Sequence, residues 1–289
     1  PAEKAAEPDE QEQMSLAEEI GQTFKHEHDF SQDLSSMMNQ GPTTKVLGVG
    51  YNPTDDTLFI RIGDKMNREV KTKRDLLSWI AAVYDPLGFI SPYILKGRIF
   101  FQKVNERKLN WNDPVPEDIL KPFNIWKESI THLKHIKIPR WVATLGMEQA
   151  ITELMIFTDA SKYGFGIVCY TKKSLPESDK AHISFYFSKS HVVPVSMMKT
   201  PLPNAEDHCD SIPKLELCAA KLGAIYRDVI SRQSGEKFTN VHMLTDSKTV
   251  LLWVRDWERR FKTFINFRIK CVRMLTRVSE WSYVPSELN

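Results

Sequence analysis

The sequence predicts a mixed α/β fold, in which helices lie on the faces of a mixed sheet. Three observations predict it. From about Leu154, three β-rich runs follow in quick succession: LMIFTDAS, FGIVCYT and HISFYFSKS. Beyond them, helical and strand-like patterns alternate to the C-terminus. Acids also stand where these runs end, Asp159 in FTDAS and Asp246 in LTDSK, while Glu216 in PKLELCAA opens a helical pattern. Strands in a row, followed by helices alternating with strands, place helices against a sheet rather than in a bundle.

A chain of 289 residues is long enough for one large or two medium domains with proper cores. Net charge is only +2, so no global basicity points to a polyanionic partner. Residues 1–42 read as an acidic, disordered lead, because the opening PAEKAAEPDEQEQ has no aromatic or β-branched residue. Residues 11–38 show weak helical periodicity and two histidines, with no function assigned. No signal peptide is visible, and a chain starting at Pro1 reads as a fragment or processed product. Cys169, Cys209, Cys218 and Cys271 lack CxxC spacing, so reduced intracellular thiols are the simpler account than zinc. Residues 76–95 are apolar enough to suggest a membrane span. Asp85-Pro86-Leu87-Gly88 breaks that stretch, so two helices joined by a turn are expected and no membrane partner.

Taken in order, residues 43–62 hold KVLGVGY and TLFIRI around Asn52-Pro53-Thr54-Asp55-Asp56, a hairpin pattern. Thr72 suits an N-cap for a helix to about Tyr84. A second helix is expected over 92–106. Pro116-Glu117-Asp118 marks a new helix start, with the helix itself over 123–133. The three β-rich runs then read as an antiparallel meander, with Gly164 between the first two. A polar insert covers 193–210. Ser211-Ile212-Pro213 starts a helix with Leu215, Leu222, Ile225 and Val229 on one face. VHMLTDS is a fourth strand, 248–257 and 261–276 are helices, and WSYVPS is a final strand.

FTDAS, PKLELCAA, LTDSKTVLLWV, FINFR and WSYVPSELN, in that order, resemble the ribonuclease H segment of BEL/Pao-type retrotransposon polyproteins. KVLGVGYNPTDDTL, TKRDLLSWIAAVYDPLGFISPYILKGRIFFQ and LNWNDPVPEDI are similar to the thumb and connection of the same family. The resemblance implies a thumb/connection-like region over 43–145 and a ribonuclease H-like domain over 146–289. It implies cleavage of the RNA strand of an RNA–DNA hybrid, and covalent company with the palm, fingers and integrase of a Pol polyprotein. A cytoplasmic setting in retroelement particles follows from the same likeness. Two departures stand out. The paired-aspartate strand of the polymerase is missing, since Asp55-Asp56 sits in a turn. Family members continue past the motif at Asn289 to an aspartate that is the fourth metal-site acid. The domain is therefore expected to be truncated at its C-terminal end, with Glu287 a poor substitute.

Acids that converge at strand ends repel one another unless divalent cations bridge them. Phosphodiester hydrolysis needs an activated water, a stabilised phosphate and a stabilised leaving oxygen, which two ions about 4 Å apart can supply. Two Mg²⁺ (or Mn²⁺) ions held by Asp159, Glu216 and Asp246 are therefore expected. In the resembled fold Asp159 and Glu216 share one ion and Asp246 helps hold the other. Ala219, Ala220 and Gly223 would let the glutamate's helix lie close to the sheet. Each acid also has a plainer reading: Asp159 and Asp246 as caps, Glu216 as a first-turn acid. The order of the motifs favours the metal site.

From Arg255 to Arg273 seven cations face only Asp256 and Glu258, interleaved with Trp257, Phe261, Phe264 and Phe267. Basic residues that track phosphates suit a hybrid. For Arg259, Arg260, Lys262 and Arg268, phosphate binding and a solvated helix face stand level. Trp257, Phe264 and Phe267 read as a core face. Lys189, Ser190, Lys73 and Arg74 are weaker candidates. Two other readings remain: a catalytically incomplete nucleic-acid-binding scaffold, and an aspartic peptidase. The peptidase ranks low because neither Asp159-Ala160-Ser161 nor Asp246-Ser247-Lys248 is an Asp-Thr/Ser-Gly turn.

Overall fold

The structure is a computed structural model that describes residues 44–46, 49–61, 67–140, 150–175, 181–197 and 212–289. The acidic lead, Cys209 and most of the polar insert lie outside the described residues. Strands β2 (Val49–Asn52) and β3 (Thr57–Phe59) form the expected hairpin, with Gly50 opposite Phe59. The sheet is wider than the sequence suggests, because β1 (Thr44–Val46) pairs with β2 and β4 (Lys137–Pro139) pairs with β3. A three-residue strand containing proline has no periodicity to reveal it, and only an edge tolerates it. Ion pairs tie β4 to the hairpin turn, from Lys137 Nζ to Asp55 at 2.6 Å and from Arg140 Nε to Asp56 at 2.7 Å. Asp55 and Asp56 are thereby occupied as turn residues.

Helix α1 (Lys73–Ala81) starts where expected. The Thr72 hydroxyl accepts from the Asp75 amide at 3.2 Å, and the Asp75 carboxylate accepts from the Thr72 amide at 2.9 Å. Helix α2 spans Ser91–Glu106. Helix α3 (Glu117–Ser129) begins six residues before the expected Phe123 and gives way to a 3₁₀ turn at Ile130. Pro122 costs it one backbone hydrogen bond, but Ile119, Phe123, Trp126 and Ile130 carry a continuous buried stripe across the proline. Trp79 meets Phe123 and Trp126 edge-on in this core, at ring centroid distances of 5.6 and 5.4 Å. In the α1–α2 turn the Asp85 carboxylate accepts from the amides of Phe89 and Ile90, at 2.8 and 2.9 Å. Among the described residues no helix is long and apolar enough to cross a membrane.

The second sheet has the order β7-β6-β5-β8-β9. Its meander is β5 (Ile151–Ala160), β6 (Gly164–Ser174) and β7 (Ala181–Val192), all antiparallel. Helix α4 (Ile212–Gln233) crosses to β8 (Asn240–Thr245), which lies parallel to β5. Helices α5 (Lys248–Arg255) and α6 (Thr263–Leu275) lead to β9 (Trp281–Tyr283), parallel to β8. Thr152, Leu154, Ile156 and Thr158 alternate into the buried face of β5. Leu215, Leu222 and Ile225 of α4 are buried as expected, whereas Val229 is half-buried. The buried surface of α4 is broader than one stripe, taking in Leu217, Ala219, Ala220 and Ala224.

Helix α2 covers the outer strand of the meander. Ser188 donates from its amide to Leu87 O at 2.9 Å and from its hydroxyl to Gly88 O at 2.5 Å. The hydroxyls of Ser91 and Ser190 lie 2.7 Å apart, and Arg98 donates to Ser190 O at 2.9 Å. Gly88 has φ +78°, and a Cβ there would sit 2.0 Å from Ser188 O. A side chain at this turn would drive the helices off the strand.

Candidate active site

Strands β5 and β8 run parallel with Thr158 opposite Thr245. Asp159 and Asp246 each follow one of these threonines, so both acids leave the sheet at the same end. Glu216 comes from the start of α4. That helix lies close against the sheet beside Asp159, because a Cβ on Gly223 would be 2.7 Å from Thr158 Cγ2. The small residue is what permits this approach.

Glu216 and Asp159 both sense neighbouring negative charge. Partial loss of water pushes the Glu216 carboxyl above its usual range, and the charges of Asp246 and Asp159 push it further, against a bond from Ser247. Partial loss of water likewise raises Asp159, with Asp246 adding to it and the Ala160 amide opposing. Asp159 remains exposed, so water still screens it.

Each acid has one oxygen tied. Asp159 Oδ1 accepts from the Ala160 amide at 2.7 Å. Glu216 Oε2 accepts from Ser247 Oγ at 2.5 Å, and Asp246 Oδ2 accepts from Ser286 Oγ at 2.7 Å. Ser247 also caps α5, its oxygen accepting from the Val250 amide at 3.2 Å. Among the described residues Asp246 Oδ1 is buried without a hydrogen-bond partner, and so is Asn289 Oδ1, whose amide nitrogen donates to Thr158 O at 3.3 Å. Sequence reasoning did not single out Ser286. It lies 40 positions from the acid it holds, and nothing local marks it.

Among the described residues no group of three or more His, Cys, Asp or Glu side chains is arranged to hold a metal ion. The chemistry of the donors nevertheless suits hard divalent cations. All are oxygens, they repel one another, and a buried carboxylate oxygen on Asp246 lacks the partner that burial demands.

The basic candidates divide. Arg259, Arg260 and Lys262 are exposed between α5 and α6, the Arg259 guanidinium 5.6 Å from the Phe261 ring centroid. Arg268 is turned into the protein, donating to Phe264 O at 3.0 Å and to Cys218 Sγ of α4 at 3.3 Å. Ser190 is buried and taken up by Ser91, while Lys189 is half-buried in β7. Lys73 donates to Leu109 O at 2.9 Å and lies over Trp111, as does exposed Arg74. Trp257 and Phe267 overturn their reading as a core face, whereas Phe264 is half-buried under Arg268. Trp257 is 63% and Phe267 37% exposed. Cations cover them instead, Arg273 over Trp257 at 4.2 Å and Lys221 over Phe267 at 5.0 Å. Ile269 and Val272 supply the buried side of α6.

A five-stranded mixed sheet with acids gathered past two parallel strands defines the class, a ribonuclease H-like fold. The family model described as Pao retrotransposon-like RNaseH-like domain matches residues 72–247, more than half of the chain, and the chain belongs to that family. The match runs from the cap of α1 to the residue after Asp246 and includes all three acids. No curated protein matches. Among solved structures, the dRH form of the foamy viral protease-reverse transcriptase in complex with double-stranded DNA aligns over 86% of this chain at 11% identity and a TM-score of 0.49. The chain spans 38% of that protein's length. The N-terminal ribonuclease H domain of a Mycobacterium tuberculosis protein aligns over 47% of this chain and 84% of its own, at 14% identity and a TM-score of 0.30. Ribonuclease H1 from Halobacterium salinarum aligns over 47% of this chain and 87% of its own, at 9% identity and a TM-score of 0.28.

Proposed function

We propose that the chain hydrolyses the RNA strand of an RNA–DNA hybrid as part of a retrotransposon Pol protein. What supports this reading is that Asp159 and Asp246 follow paired threonines on neighbouring parallel strands and that Glu216 feels the charge of both, with one Asp246 oxygen buried and, among the described residues, unpartnered. Asp159 and Glu216 would hold one divalent ion, Mg²⁺ or Mn²⁺, and Asp246 a second. Such ions activate a water and stabilise charge on the phosphate and the leaving oxygen. Ser247 and Ser286 orient the acids by fixing one oxygen each. Gly223 lets α4 bring Glu216 up to the strand end. Exposed Arg259, Arg260 and Lys262 supply charge for the substrate backbone.

The test is cleavage of end-labelled RNA in a hybrid by the Pol polypeptide that carries this chain. Cleavage should require Mg²⁺ or Mn²⁺, stop with EDTA, and fall at least ~10²-fold in Asp159→Asn. An Asp159→Asn protein that cuts as fast as the parent refutes the site. Tight hybrid binding with no cleavage in either metal would instead mark a binding scaffold.

A further inference from the structure

Two lysine–tyrosine pairs stand beside the acids. Lys162 Nζ lies 5.1 Å from the ring centroid of Tyr163, and Lys248 Nζ lies 5.1 Å from that of Tyr283. The rings are 49% and 45% exposed, so their faces are open to a ligand. We infer that these two pairs grip the sugar–phosphate backbone of the nucleic acid on either side of the reacting phosphate. The inference rests on the ribonuclease H reading of the acids and adds the residues that seat its substrate.

Placement is the first argument. Lys162 and Tyr163 are the third and fourth residues after Asp159, in the β5–β6 turn. Lys248 is the second residue after Asp246, and Tyr283 lies opposite Thr245 in the β8–β9 register. Each pair therefore neighbours one of the two strand-end aspartates. Both are anchored by backbone. The Ser161 amide donates to Gly164 O at 2.7 Å, the Tyr163 amide to Ser161 Oγ at 3.2 Å, and the Val193 amide to Tyr163 O at 3.0 Å. On the other side Ser247 caps the helix that Lys248 begins, and the Val284 amide donates to Thr245 O at 3.0 Å.

Electrostatics is the second argument. Three gathered carboxylates repel a phosphodiester chain, so a substrate needs positive charge close by on both flanks. Lys248 is also poorly placed for helix stability. It opens α5, whose first turn has no acid, and a cation at a helix N-terminus opposes the dipole. A residue set against its local preference beside a functional site is the expected mark of a substrate contact. The tyrosine faces hold the ammonium groups and offer flat apolar surface to sugars.

The test is equilibrium binding of a fluorescent RNA–DNA hybrid in EDTA across a salt series. Removing one phosphate contact flattens the slope of log affinity against log salt by about 0.9. Lys162→Gln with Lys248→Gln should flatten it by about 1.8, while Tyr163→Leu and Tyr283→Leu should weaken binding with the slope unchanged. Lys121→Gln, on an exposed face of α3, removes the same charge and should leave the slope as it was. A double variant with the parent's slope and affinity overturns the inference, and so does equal flattening by Lys121→Gln. If Asp159→Asn abolishes cleavage while the double variant binds like the parent, only the grip is wrong. If Asp159→Asn cuts normally, the reading of the acids fails and takes the grip with it.

Discussion

Ser286 Oγ donates a 2.7 Å hydrogen bond to Asp246 Oδ2, tying the last turn of the chain to the strand-end acid. The bond leaves Asp246 Oδ1 as the oxygen without a partner. Ser286 is exposed, so Ser286→Ala should alter stability by less than about 1 kcal/mol. Hybrid cleavage should nonetheless slow about tenfold, through kcat rather than KM, because orientation and not binding is lost. Ser286→Thr, which keeps the hydroxyl, should restore the rate.

Gly223 sets how near Glu216 comes to the sheet. Alanine there gains about 1 kcal/mol of helix propensity. Its Cβ, however, would lie 2.7 Å from Thr158 Cγ2 and 3.1 Å from Met243 Cε. Thr158 is a buried strand residue whose hydroxyl donates to Leu244 O at 3.2 Å, so it has little room to give. Gly223→Ala should be destabilised by about 1 kcal/mol net and Gly223→Val by about 2–3 kcal/mol, read from urea midpoints. A stabilised alanine variant would contradict the close approach.

Gly88 couples the helical region to the sheet. Gly88→Ala combines a positive φ with a backbone clash against Ser188 O. It should cost roughly 2–3 kcal/mol and expose the α1–α2 turn to limited proteolysis. A parent-like midpoint and digestion pattern would show that the helices do not depend on this contact.

Acid should loosen the far end of the sheet. Bonds from Lys172 and then His242, with Asn240 adding to them, hold the Glu153 carboxyl down at about 2, against an ordinary 4.5. Because the folded value is the lower one, its contribution is complete above about pH 4.5 and is lost as pH falls toward 2. The partners are partly exposed, so the contribution is on the order of 2 kcal/mol. Glu153→Gln should be less stable than the parent at neutral pH, with the gap closing toward pH 2–3 in denaturant titrations. A gap independent of pH would rule out the carboxylate as its cause.

What could be read from the sequence was what repeats locally. β-Rich runs in quick succession announced β5, β6 and β7, and the Thr72 cap and the apolar spacing of α4 announced helices. Asp159, Glu216 and Asp246 lie at strand ends and a helix start, as the pattern around them suggested. What escaped depends on distant partners. Strand β4 exists because β3 offers it an edge. Helix α3 was expected over 123–133, yet it starts at Glu117 because a buried stripe runs across Pro122. Arg268 and Trp257 carry no sign of whether they face water or a neighbour. Only the folding of α6 against α4 turns the arginine inward and leaves the tryptophan under Arg273.

The pairing of Thr158 with Thr245 makes the acids hostage to alignment. Successive side chains on a strand point to opposite faces, so a slip of one residue would send Asp159 or Asp246 to the wrong side of the sheet. A misaligned chain that collapsed and kept its secondary structure would present at most one of the two acids beside Glu216. The proposed cleavage would therefore serve as a proofreader's signal, reporting strand alignment where spectroscopy sees only that strands exist.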